Sequence, residues 1–543
     1  MSGYFGPPNS APVISNVISA GSSGNIGIIY DLSDMESDPC SIEIEYYYEG
    51  IWRSATAVGV TANVSPGIGL TLEWNSVADL PDINGGFVSL RMRAYDGLMW
   101  GDWAVVDNVF VINTYVIFQV SYLNVFDPHI NNTGAVVWRG DLYENTIHIA
   151  SDIYLFNTVT TIQLTDFNYF ASSPQINGNG MIIWSASDGA DGGHSTGTDT
   201  EIYLYNGQTV ARLTDNNYDD VTPAINNNDV VVWSGSDGSD FEIFKYNGSS
   251  TVQLTNNSTD DIDPQINDSG TVVWVGFDGS DYEIFKYNGS STVQLTDNSL
   301  PDNDGRINNS GDIVWSGFDG SDWEIYLYRN SITTQLTDNS IDDVEPQISD
   351  SGTIVWAGGS SSSKDIYYYD GVSIIQVAST LANDSQPQIN STDTIVWSGG
   401  DSSIANIYIF DGTTLTSLTN DQYLNITPQI NDKSHIVWNR WNGTYWEIML
   451  AYPRIAQSIE LLSINRISNF ISLTWTMDPP YAPFTLYWSP DFTGWNSVNG
   501  SALDNIYVNS DGTKTWVDTG ADPDMSGQAP EDIEQRMYKI TVP

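Results

Sequence analysis

A tryptophan that recurs at a nearly fixed interval is the feature that most constrains how this chain can fold. It ends the string Ile-Asn-x-x-Gly-x-Val-Val-Trp, which appears repeatedly with small variations. Its spacings are 46 and 49 residues and then 41 residues in every later interval. A period of about forty residues indicates an array of small structural units. The tryptophans are Trp138, Trp184, Trp233, Trp274, Trp315, Trp356, Trp397 and Trp438.

One well-formed unit contains four short apolar runs. They are Pro264–Asn267, Thr271–Val275, Tyr282–Tyr287 and Thr292–Thr296, and the segments between them are rich in Gly, Asn, Asp and Ser, which favour hairpin turns. Four antiparallel strands per repeat are typical of a propeller blade. The sequence therefore predicts an all-β protein whose centre is an eight-bladed β-propeller.

The ends of the array indicate how it closes. The eighth copy reaches Pro453 without a fourth strand, whereas an unassigned strand, Val116–Val120, precedes the first copy. This N-terminal strand is predicted to complete the last blade, which removes exposed sheet edges. An open solenoid is the alternative, but it needs polar capping repeats, and none is recognisable.

The repeat resembles the TolB-type, or PD40, propeller repeats, which are related to the WD-repeat family. The matching residues are Pro264–Asn267, Gly270, Val272–Trp274, Glu283–Tyr287 and Leu295 with Thr296. The resemblance covers the chain from Tyr115 to about Pro453. It implies the propeller fold but no single function, because such propellers occur in scaffolds, peptidases, lyases and adhesins.

The segments on either side of the array alternate apolar and polar residues at the period of a strand. We predict a short leader or linker at residues 1–8, an immunoglobulin-like or fibronectin-III-like sandwich at 9–113, the propeller at 115–453, and a fibronectin-III-like sandwich at 454–543. Modules of this kind are common in exported proteins.

The charge of the chain restricts its partners. There are 68 acidic residues against 17 Lys and Arg, a formal net charge of -51. Nucleic acid and anionic membrane surfaces are therefore poor partners. No apolar run is long enough to span a membrane. The single cysteine, Cys40, excludes an intramolecular disulfide and is expected to be a small buried residue. The start lacks the features of a signal peptide, so an extracellular or cell-surface location is inferred from composition and module type.

Acidic residues recur in the predicted loop between the second and third strands. A ring of such oxygen ligands suits Ca²⁺, and the N-terminal module has a similar group. Hairpin chemistry alone is the alternative, since Asp also stabilises its own turn. The candidate ligands are Asp237, Asp240, Glu242, Asp278, Asp281, Glu283, Asp319, Asp322 and Glu324 in the repeats, and Asp31, Asp34, Glu36, Asp38 and Asp96 in the N-terminal module.

Candidate ligand-binding residues are those that depart from the repeat. The tryptophans themselves are expected to be core, because they occupy one position in every copy. His129 and Arg306 replace a glutamine that recurs along the first strands, and His194 lies in an insertion of the second copy. Aromatic residues that are predicted to fall outside the repeat are candidates for stacking on a sugar: Tyr218, Phe277, Phe318, Tyr423, Trp441 and Tyr445.

No string typical of a catalytic site occurs in the sequence. The first hypothesis is a non-enzymatic exported or cell-surface protein that binds a glycan or a protein partner. A polysaccharide lyase or glycoside hydrolase is the second, and a self-associating subunit of a surface layer or filament is the third.

Overall fold

The computed structural model describes most of residues 9–453 and a set of strands between residues 458 and 541. Residues 21–24, 81–82, 84–85, 113, 122–123, 145–146, 167–169, 188–198, 361–362, 378–382 and 454–457 lie outside the described part. The regular secondary structure of the described residues is strand apart from one short helix, α1 (Ser76–Asp79), which confirms the all-β prediction. None of the described helices is long and apolar enough to cross a membrane.

By its internal contacts the chain divides into two units. One unit is Ile117–Ala451, and the other combines Met1–Val116 with Tyr452–Pro543.

The N-terminal segment forms two four-stranded sheets, in the orders β1-β2-β6-β5 and β4-β3-β7-β8. Their buried residues form one hydrophobic cluster, in which Trp74 and Cys40 are fully buried. Cys40 is thus the small buried residue that was predicted. The strands are β1 (Val13–Ala20), β2 (Asn25–Ser33), β3 (Ser41–Tyr48), β4 (Ile51–Ser54), β5 (Ala57–Val58), β6 (Gly67–Asn75), β7 (Gly86–Tyr95) and β8 (Ala104–Val111).

The repeat region forms eight four-stranded groups within the described residues, seven of them with their strands in sequence order. They are sheet 1, β10 (Val125–Ile130), β11 (Val136–Glu144), β12 (Ile147–Phe156), β13 (Thr161–Gln163); sheet 2, β14 (Ala171–Ile176), β15 (Ile182–Ser187), β16 (Thr200–Tyr205), β17 (Val210–Arg212); sheet 3, β18 (Asp220–Ile225), β19 (Val231–Ser236), β20 (Phe241–Tyr246), β21 (Thr251–Gln253); sheet 4, β22 (Asp261–Ile266), β23 (Val272–Phe277), β24 (Tyr282–Tyr287), β25 (Thr292–Gln294); sheet 5, β26 (Asp302–Ile307), β27 (Ile313–Phe318), β28 (Trp323–Arg329), β29 (Ile332–Gln335); sheet 6, β30 (Asp342–Ile348), β31 (Ile354–Ser360), β32 (Ser363–Tyr369), β33 (Ile374–Gln376); sheet 7, β34 (Asn383–Ile389), β35 (Ile395–Gly400), β36 (Ala405–Phe410), β37 (Leu415–Ser417); and sheet 8, β38 (Leu424–Ile430), β39 (Ile436–Trp441), β40 (Trp446–Pro453) with β9 (Tyr115–Ser121).

The fourth strand of sheet 8 comes from the beginning of the repeat region. Strand β9 is hydrogen-bonded to β40, although more than three hundred residues separate them in sequence. One parallel bridge, between Ala405 and Leu424, joins sheets 7 and 8 into a single hydrogen-bonded network.

The C-terminal segment adds two further sheets, in the orders β41-β42-β46-β45 and β44-β43-β47. Its strands are β41 (Ser458–Ile467), β42 (Phe470–Asp478), β43 (Thr485–Ser489), β44 (Asn496–Ser497), β45 (Ile506–Val508), β46 (Lys514–Asp518) and β47 (Met537–Thr541).

The repeated tryptophans lie between neighbouring sheets, and each is at most 1% exposed. Trp315 of sheet 5 belongs to the same hydrophobic cluster as Val273 and Ile284 of sheet 4. Trp138 of sheet 1 belongs to a cluster with Val437 and Ile448 of sheet 8. Sheet-to-sheet packing therefore continues from the eighth sheet to the first, and the tryptophans are core, as predicted.

Asparagine side chains connect the same sheets through hydrogen bonds. The Nδ2 group of Asn267 donates to the backbone oxygen of Asn308 in the next sheet at 3.0 Å. Asn431 of sheet 8 donates to the backbone oxygen of Asn131 of sheet 1 at 2.7 Å, so the series returns to its start. In sheet 6 a serine takes the place of the asparagine, and its hydroxyl donates to Asp393 of sheet 7 at 2.6 Å. The other donors are Asn131, Asn177, Asn226, Asn308 and Asn390.

Four of these tryptophans also donate a hydrogen bond from the indole N–H to a buried carboxylate of their own sheet. Trp274 Nε1 donates to Asp261 Oδ1 at 2.8 Å, and Asn257 Nδ2 donates to Asp261 Oδ2 at 2.7 Å. The residue two positions after the tryptophan is glycine because a Cβ on Gly276 would lie 2.3 Å from Asp261 Oδ1. The equivalent pairs are Trp233 with Asp220, Trp315 with Asp302, and Trp356 with Asp343.

Candidate functional site

Every first strand of the repeat region contains a β-bulge near its beginning. In sheet 4 the pairing register shifts between Ile262 and Gln265, and Asp263 has a φ of 53°. A positive φ is unusual for residues other than glycine and occurs here in every sheet, so the bulge belongs to the architecture. The side-chain chemistry at the bulge nevertheless varies from sheet to sheet. The residues are Asp127, Ser173, Thr222, Asp263, Asp304, Glu345, Gln386 and Thr427.

The bulges of sheets 2 to 5 line a polar cavity of about 490 Å³, which we call the axial cavity. Asp263, Asp304 and Arg306 are its charged residues, and Gln175, Gln265 and Thr222 are among its neutral polar ones. No aromatic side chain lies among its described lining residues. Hydrogen-bonding groups that converge from several rigid strands are suited to recognition of a polar ligand.

Arg306 shares the lining of this cavity with two carboxylates, Asp263 and Asp304. Burial lowers the pKa of its guanidinium, while the neighbouring charges of Asp304 and Asp263 act in the opposite direction. For Asp263 the effect of burial has the opposite sign, because it raises the pKa of the carboxyl group. The positive charge of Arg306 partly offsets this increase. The structure thus assigns Arg306 to a charged cavity, whereas the sequence had only marked it as a departure from the repeated glutamine.

His129 lies at a different place, in a second cavity of about 290 Å³ lined mainly by the Ile-Asn ends of the first strands. Its Nδ1 accepts a hydrogen bond from the backbone N–H of Ile176 at 3.3 Å. Burial lowers the pKa of His129 to about 4, so the ring is neutral at physiological pH. The structure does not bring His129 and Arg306 into one cavity. His194, the third candidate of this kind, lies outside the described residues.

Three of the candidate aromatic residues share one position of the repeat. Phe277, Phe318 and Trp441 each end a second strand, opposite an aromatic residue that begins the third strand. The ring centroids of each pair are 5.5 to 5.6 Å apart. These three residues therefore belong to the repeat, contrary to the prediction.

The other candidate aromatics lie on loops. Tyr218 is 47% exposed and Tyr423 is 39% exposed, with the guanidinium of Arg440 5.3 Å from the centre of the Tyr423 ring. Tyr445 lies in the turn before β40, where its backbone N–H donates to Asn442. None of the six candidate aromatics lines the axial cavity.

The repeated acidic residues come together at the hairpin between the second and third strands of sheets 3, 4 and 5. In each of three groups of acidic residues, the possible ligand atoms lie within 4.8 Å of one another. We call these groups the hairpin carboxylate clusters. Asp338, from the loop after the fourth strand, joins the third cluster and was not among the sequence candidates. The groups are Asp237, Asp240 and Glu242; Asp278, Asp281 and Glu283; and Asp319, Glu324 and Asp338.

Asp322 lies beside the third cluster rather than within its closest group. Burial raises the pKa of Asp322, and the charges of Asp319, Asp342 and Asp338 act in the same direction. Burial and neighbouring carboxylates also raise the pKa of Asp240 and Asp281. These side chains therefore lie in negatively charged and partly dehydrated surroundings.

The acidic residues of the N-terminal segment are mostly engaged in local hydrogen bonds. Asp34 accepts from the backbone N–H groups of Glu36 and Asp38, and Asp96 accepts from those of Leu98 and Met99. Burial raises the pKa of Cys40 to about 11, and the charges of Asp34, Asp96 and Asp38 contribute, so the structure brings the two acidic segments near this cysteine.

Asp31 and Glu36 have partners of their own. Asp31 accepts hydrogen bonds from Asn16 and Gly69, and Glu36 accepts from Ser10. Among the residues that the structure describes, the five acidic residues form no group of three within ligand distance.

The buried Asp of the first strands was not among the candidates from sequence, although it recurs thirteen residues before the tryptophan. In sheet 5 this residue is Asp302, whose pKa is raised to about 7 by burial and by the adjacent Glu283. These carboxyl groups serve the packing of each sheet, since they bind the buried indole and lie 1% to 3% exposed.

No protein-family model and no curated protein matches the sequence. Among solved structures, the chain is similar to the β-propeller domain of the Trilobed protease from Pyrococcus furiosus, with 13% identity and a TM-score of 0.40 over 62% of this chain and 97% of that one. It is also similar to the polysaccharide lyase Uly1, with 8% identity and a TM-score of 0.35 over 62% of this chain and 99% of that one.

A puromycin-hydrolyzing peptidase of Mycobacterium tuberculosis shows 12% identity and a TM-score of 0.40 over 57% of this chain. The chain spans 58% of the length of that peptidase. No activity, substrate or partner follows for this chain from similarities at these identities.

Proposed function

We propose that the chain is an exported or cell-surface binding protein whose repeat region is a closed, eight-bladed β-propeller. Three contacts support closure: β9 pairs with β40, Trp138 packs with residues of sheet 8, and Asn431 binds the backbone of Asn131. The flanking sheets are proposed to be immunoglobulin-like or fibronectin-III-like spacers, and the repeat to be of the TolB type. Closure matters for function because it fixes the positions of the first strands around one cavity.

The axial cavity is the proposed binding site, and the observation that carries this proposal is the presence of Arg306 together with Asp263 and Asp304 in its lining. Five other sheets carry glutamine where sheet 5 carries this arginine. Carboxylate, guanidinium and amide groups together recognise hydroxyl-rich ligands through directional hydrogen bonds. The net charge of -51 disfavours polyanions. A neutral or amino-bearing glycan is therefore the proposed ligand.

Replacing Arg306 with glutamine is expected to weaken binding of such a glycan about tenfold or more while leaving the fold intact. The loss of a charge-assisted hydrogen bond corresponds to about 1.5 to 3 kcal/mol. The measurement is a screen of the purified chain against an array of neutral and amino-sugar oligosaccharides, followed by titration of the strongest binder with both proteins.

Lys286→Gln is the matched control, because it removes one positive charge at a residue that does not line the axial cavity. It should bind like the wild-type chain. The proposal is wrong if no glycan binds, or if R306Q and K286Q change the affinity equally. Binding only to an immobilised protein would replace the glycan with a protein partner.

Glycoside hydrolysis is a second candidate function, which the pair of carboxyl groups in the axial cavity favours. The pKa of Asp263 is raised, as a general acid requires, and Asp304 lines the same cavity. Release of new reducing ends from a bound glycan by the wild-type chain, and its loss in Asp263→Asn, would establish hydrolysis in place of binding alone.

A further inference from the structure

The hairpin carboxylate clusters contain buried oxygen atoms without a partner. Both carboxylate oxygens of Asp240 and of Asp322 are inaccessible to solvent and accept no hydrogen bond, and these residues are only 9% and 7% exposed. Oε1 of Glu242, Glu283 and Glu324 accepts from a backbone N–H, while Oε2 of each is buried. Glu242 and Glu283 also lie against the carboxyl groups of Asp261 and Asp302. Burying a carboxylate without compensation costs several kcal/mol. We propose that each of these three clusters binds a divalent cation, and that Ca²⁺ is the ion.

Sheet 2 carries the same acidic pair, but with an arginine bound to its glutamate. Asp199 and Glu201 occupy the positions of Asp240 and Glu242, as the strand register shows. Here the guanidinium of Arg212 lies 2.8 Å from Glu201 Oε1 and 3.0 Å from Asp215 Oδ1.

In sheets 3, 4 and 5 a neutral glutamine takes the position of Arg212. Arg212 pairs with Tyr203 in sheet 2, and Gln294 pairs with the equivalent Phe285 in sheet 4. Gln294 also makes a side-chain hydrogen bond with Asp278 of the cluster. The cluster in sheet 4 therefore has the acidic residues of sheet 2 but not its cation. Gln253 and Gln335 are the corresponding residues of sheets 3 and 5.

Sheets 6, 7 and 8 differ from sheets 3, 4 and 5 at one or both of these acidic positions. In sheet 8, Arg440 binds Glu447 with Nε at 2.7 Å, and a tyrosine replaces the additional aspartate. In sheet 7 the glutamate is replaced by Asn406. In sheet 6, Gln376 donates to Asp365 at 2.9 Å, and a serine replaces the additional aspartate. Among the described residues, Glu201 and Glu447 each form an ion pair with an arginine, whereas the acidic pairs of sheets 3, 4 and 5 form none with Lys or Arg.

The donor set favours Ca²⁺ over other metals. All the ligand atoms are carboxylate oxygens, and no histidine or cysteine lies in the groups. Oxygen ligands on a flexible hairpin suit Ca²⁺, whereas Mg²⁺ needs nearly octahedral geometry and Zn²⁺ prefers nitrogen and sulfur. With three or four carboxylates per site, the dissociation constant is expected near about 10⁻⁴ to 10⁻³ M, as in extracellular modules.

Binding of the ion should stabilise the segment that connects one sheet to the next. The backbone N–H of Phe241 donates to Asp260 at 3.0 Å, and that of Trp323 donates to Asp342 at 3.2 Å. These partners belong to the segments that lead into the following sheets. An ion at the clusters would therefore hold the hairpin beside the crossover that forms the next sheet.

The test measures the melting temperature of the full chain in EDTA and in about 10 mM CaCl₂, with NaCl at equal ionic strength to separate specific binding from screening. We expect Ca²⁺ to raise the melting temperature by about 5 °C or more above the NaCl control. Terbium luminescence, excited through Trp323 beside Asp322, reports direct occupancy and should be displaced by Ca²⁺.

Two variants make the test specific. The triple change Gln253→Arg, Gln294→Arg and Gln335→Arg copies sheet 2 into sheets 3 to 5, and it should abolish the Ca²⁺ shift while raising the melting temperature in EDTA. The triple change Asp240→Asn, Asp281→Asn and Asp322→Asn should do the same by removing the unpaired charge.

Equal melting temperatures in CaCl₂ and NaCl, or an undiminished Ca²⁺ shift in both triple variants, would overturn the proposal. Neither result would bear on the axial cavity, because none of the substituted residues lines it.

Discussion

Replacing Gly276 with alanine is expected to lower the free energy of unfolding by about 3 kcal/mol. The new Cβ would lie 2.3 Å from Oδ1 of Asp261 and 2.8 Å from the ring of Phe285. Asp261 has no room to move, because it is 3% exposed and holds the indole N–H of Trp274. The substitution therefore forces the carboxylate away from its donor or displaces the aromatic ring. Urea denaturation of both proteins measures the difference.

Gly305→Ala is the matched control for this substitution. Its Cβ would meet its nearest neighbours at 3.4 and 3.5 Å, which is ordinary van der Waals contact, and all of the other sheets carry proline at this position. It should change the stability little or raise it slightly. Equal effects of the two substitutions would show that the glycine after the tryptophan is not required by the buried carboxylate.

Acid is expected to weaken the contact between the last sheet and the first through His435. This residue is 2% exposed, and its Nδ1 lies 3.0 Å from Nδ2 of Asn431, the amide that binds the backbone of Asn131. Since the amide nitrogen is a donor, Nδ1 is the acceptor and carries no proton. Burial, with a smaller contribution from Lys433, lowers the pKa of His435 from 6.5 to about 3.

The sign follows from linkage. A histidine whose pKa is lowered by folding binds fewer protons in the native state, so its contribution to stability is present above pH 6.5 and is lost as the pH falls toward 3. Threonine occupies the equivalent position in three other sheets. Between about pH 7 and about pH 4, the wild-type chain should lose about 3 kcal/mol more stability than His435→Thr.

Comparing these two proteins at each pH cancels the titration of the buried carboxyl groups, which act in the opposite direction. Asp220 and Asp343 have pKa values raised to about 6, so they favour the folded state at low pH. Parallel loss of stability in the wild-type chain and H435T would contradict the role given to His435.

The sequence predicted the repeat because its strongest physical requirement is local and periodic. Each tryptophan fills the same space between two sheets, so its spacing could be read directly, and the strand Val116–Val120 was recognisable because it had no other place in the array. The structure places β9 beside β40, the position that the sequence predicted for this strand.

The candidate sites depend on contacts that sequence spacing does not contain. The buried Asp302 recurs as regularly as Trp315, but its hydrogen bond to the indole requires the first and second strands to pair with a bulge. Arg212 and Gln294 occupy the same position of the fourth strand in sheets 2 and 4, and neither was a candidate from sequence. The pairing of the third and fourth strands brings the guanidinium of Arg212 to Glu201, a contact that sequence spacing does not reveal.

The acidic candidates of the repeats and those of the N-terminal module have different surroundings in the structure. Asp240 and Glu242 were predicted as possible ligands because they recur, and the structure brings their oxygens together with Asp237. Asp34 and Asp96 were predicted as possible ligands because they flank strands of the N-terminal module, and Oδ1 of each accepts from neighbouring backbone N–H groups. Whether an acidic turn retains unpaired oxygens depends on its three-dimensional surroundings, which the sequence pattern does not specify.

The central claim is that the repeat region closes into a ring, and cross-linking between its first and last sheets tests it most directly. Asn132 and Asp432 are 300 residues apart, yet Asn132 Nδ2 donates to Asp432 Oδ2 at 2.6 Å. Both are exposed, whereas the only native cysteine, Cys40, is fully buried. The double variant Asn132→Cys, Asp432→Cys should therefore form an intramolecular link with a short bis-maleimide, detected by mass spectrometry of the linked peptides.

Asn132→Cys with Asn309→Cys is the control, because Asn309 occupies the same turn in sheet 5, on the opposite side of the ring. A closed ring predicts efficient linkage of the 132–432 pair and little linkage of the 132–309 pair. Failure of the 132–432 pair to link within single molecules would contradict the closed ring.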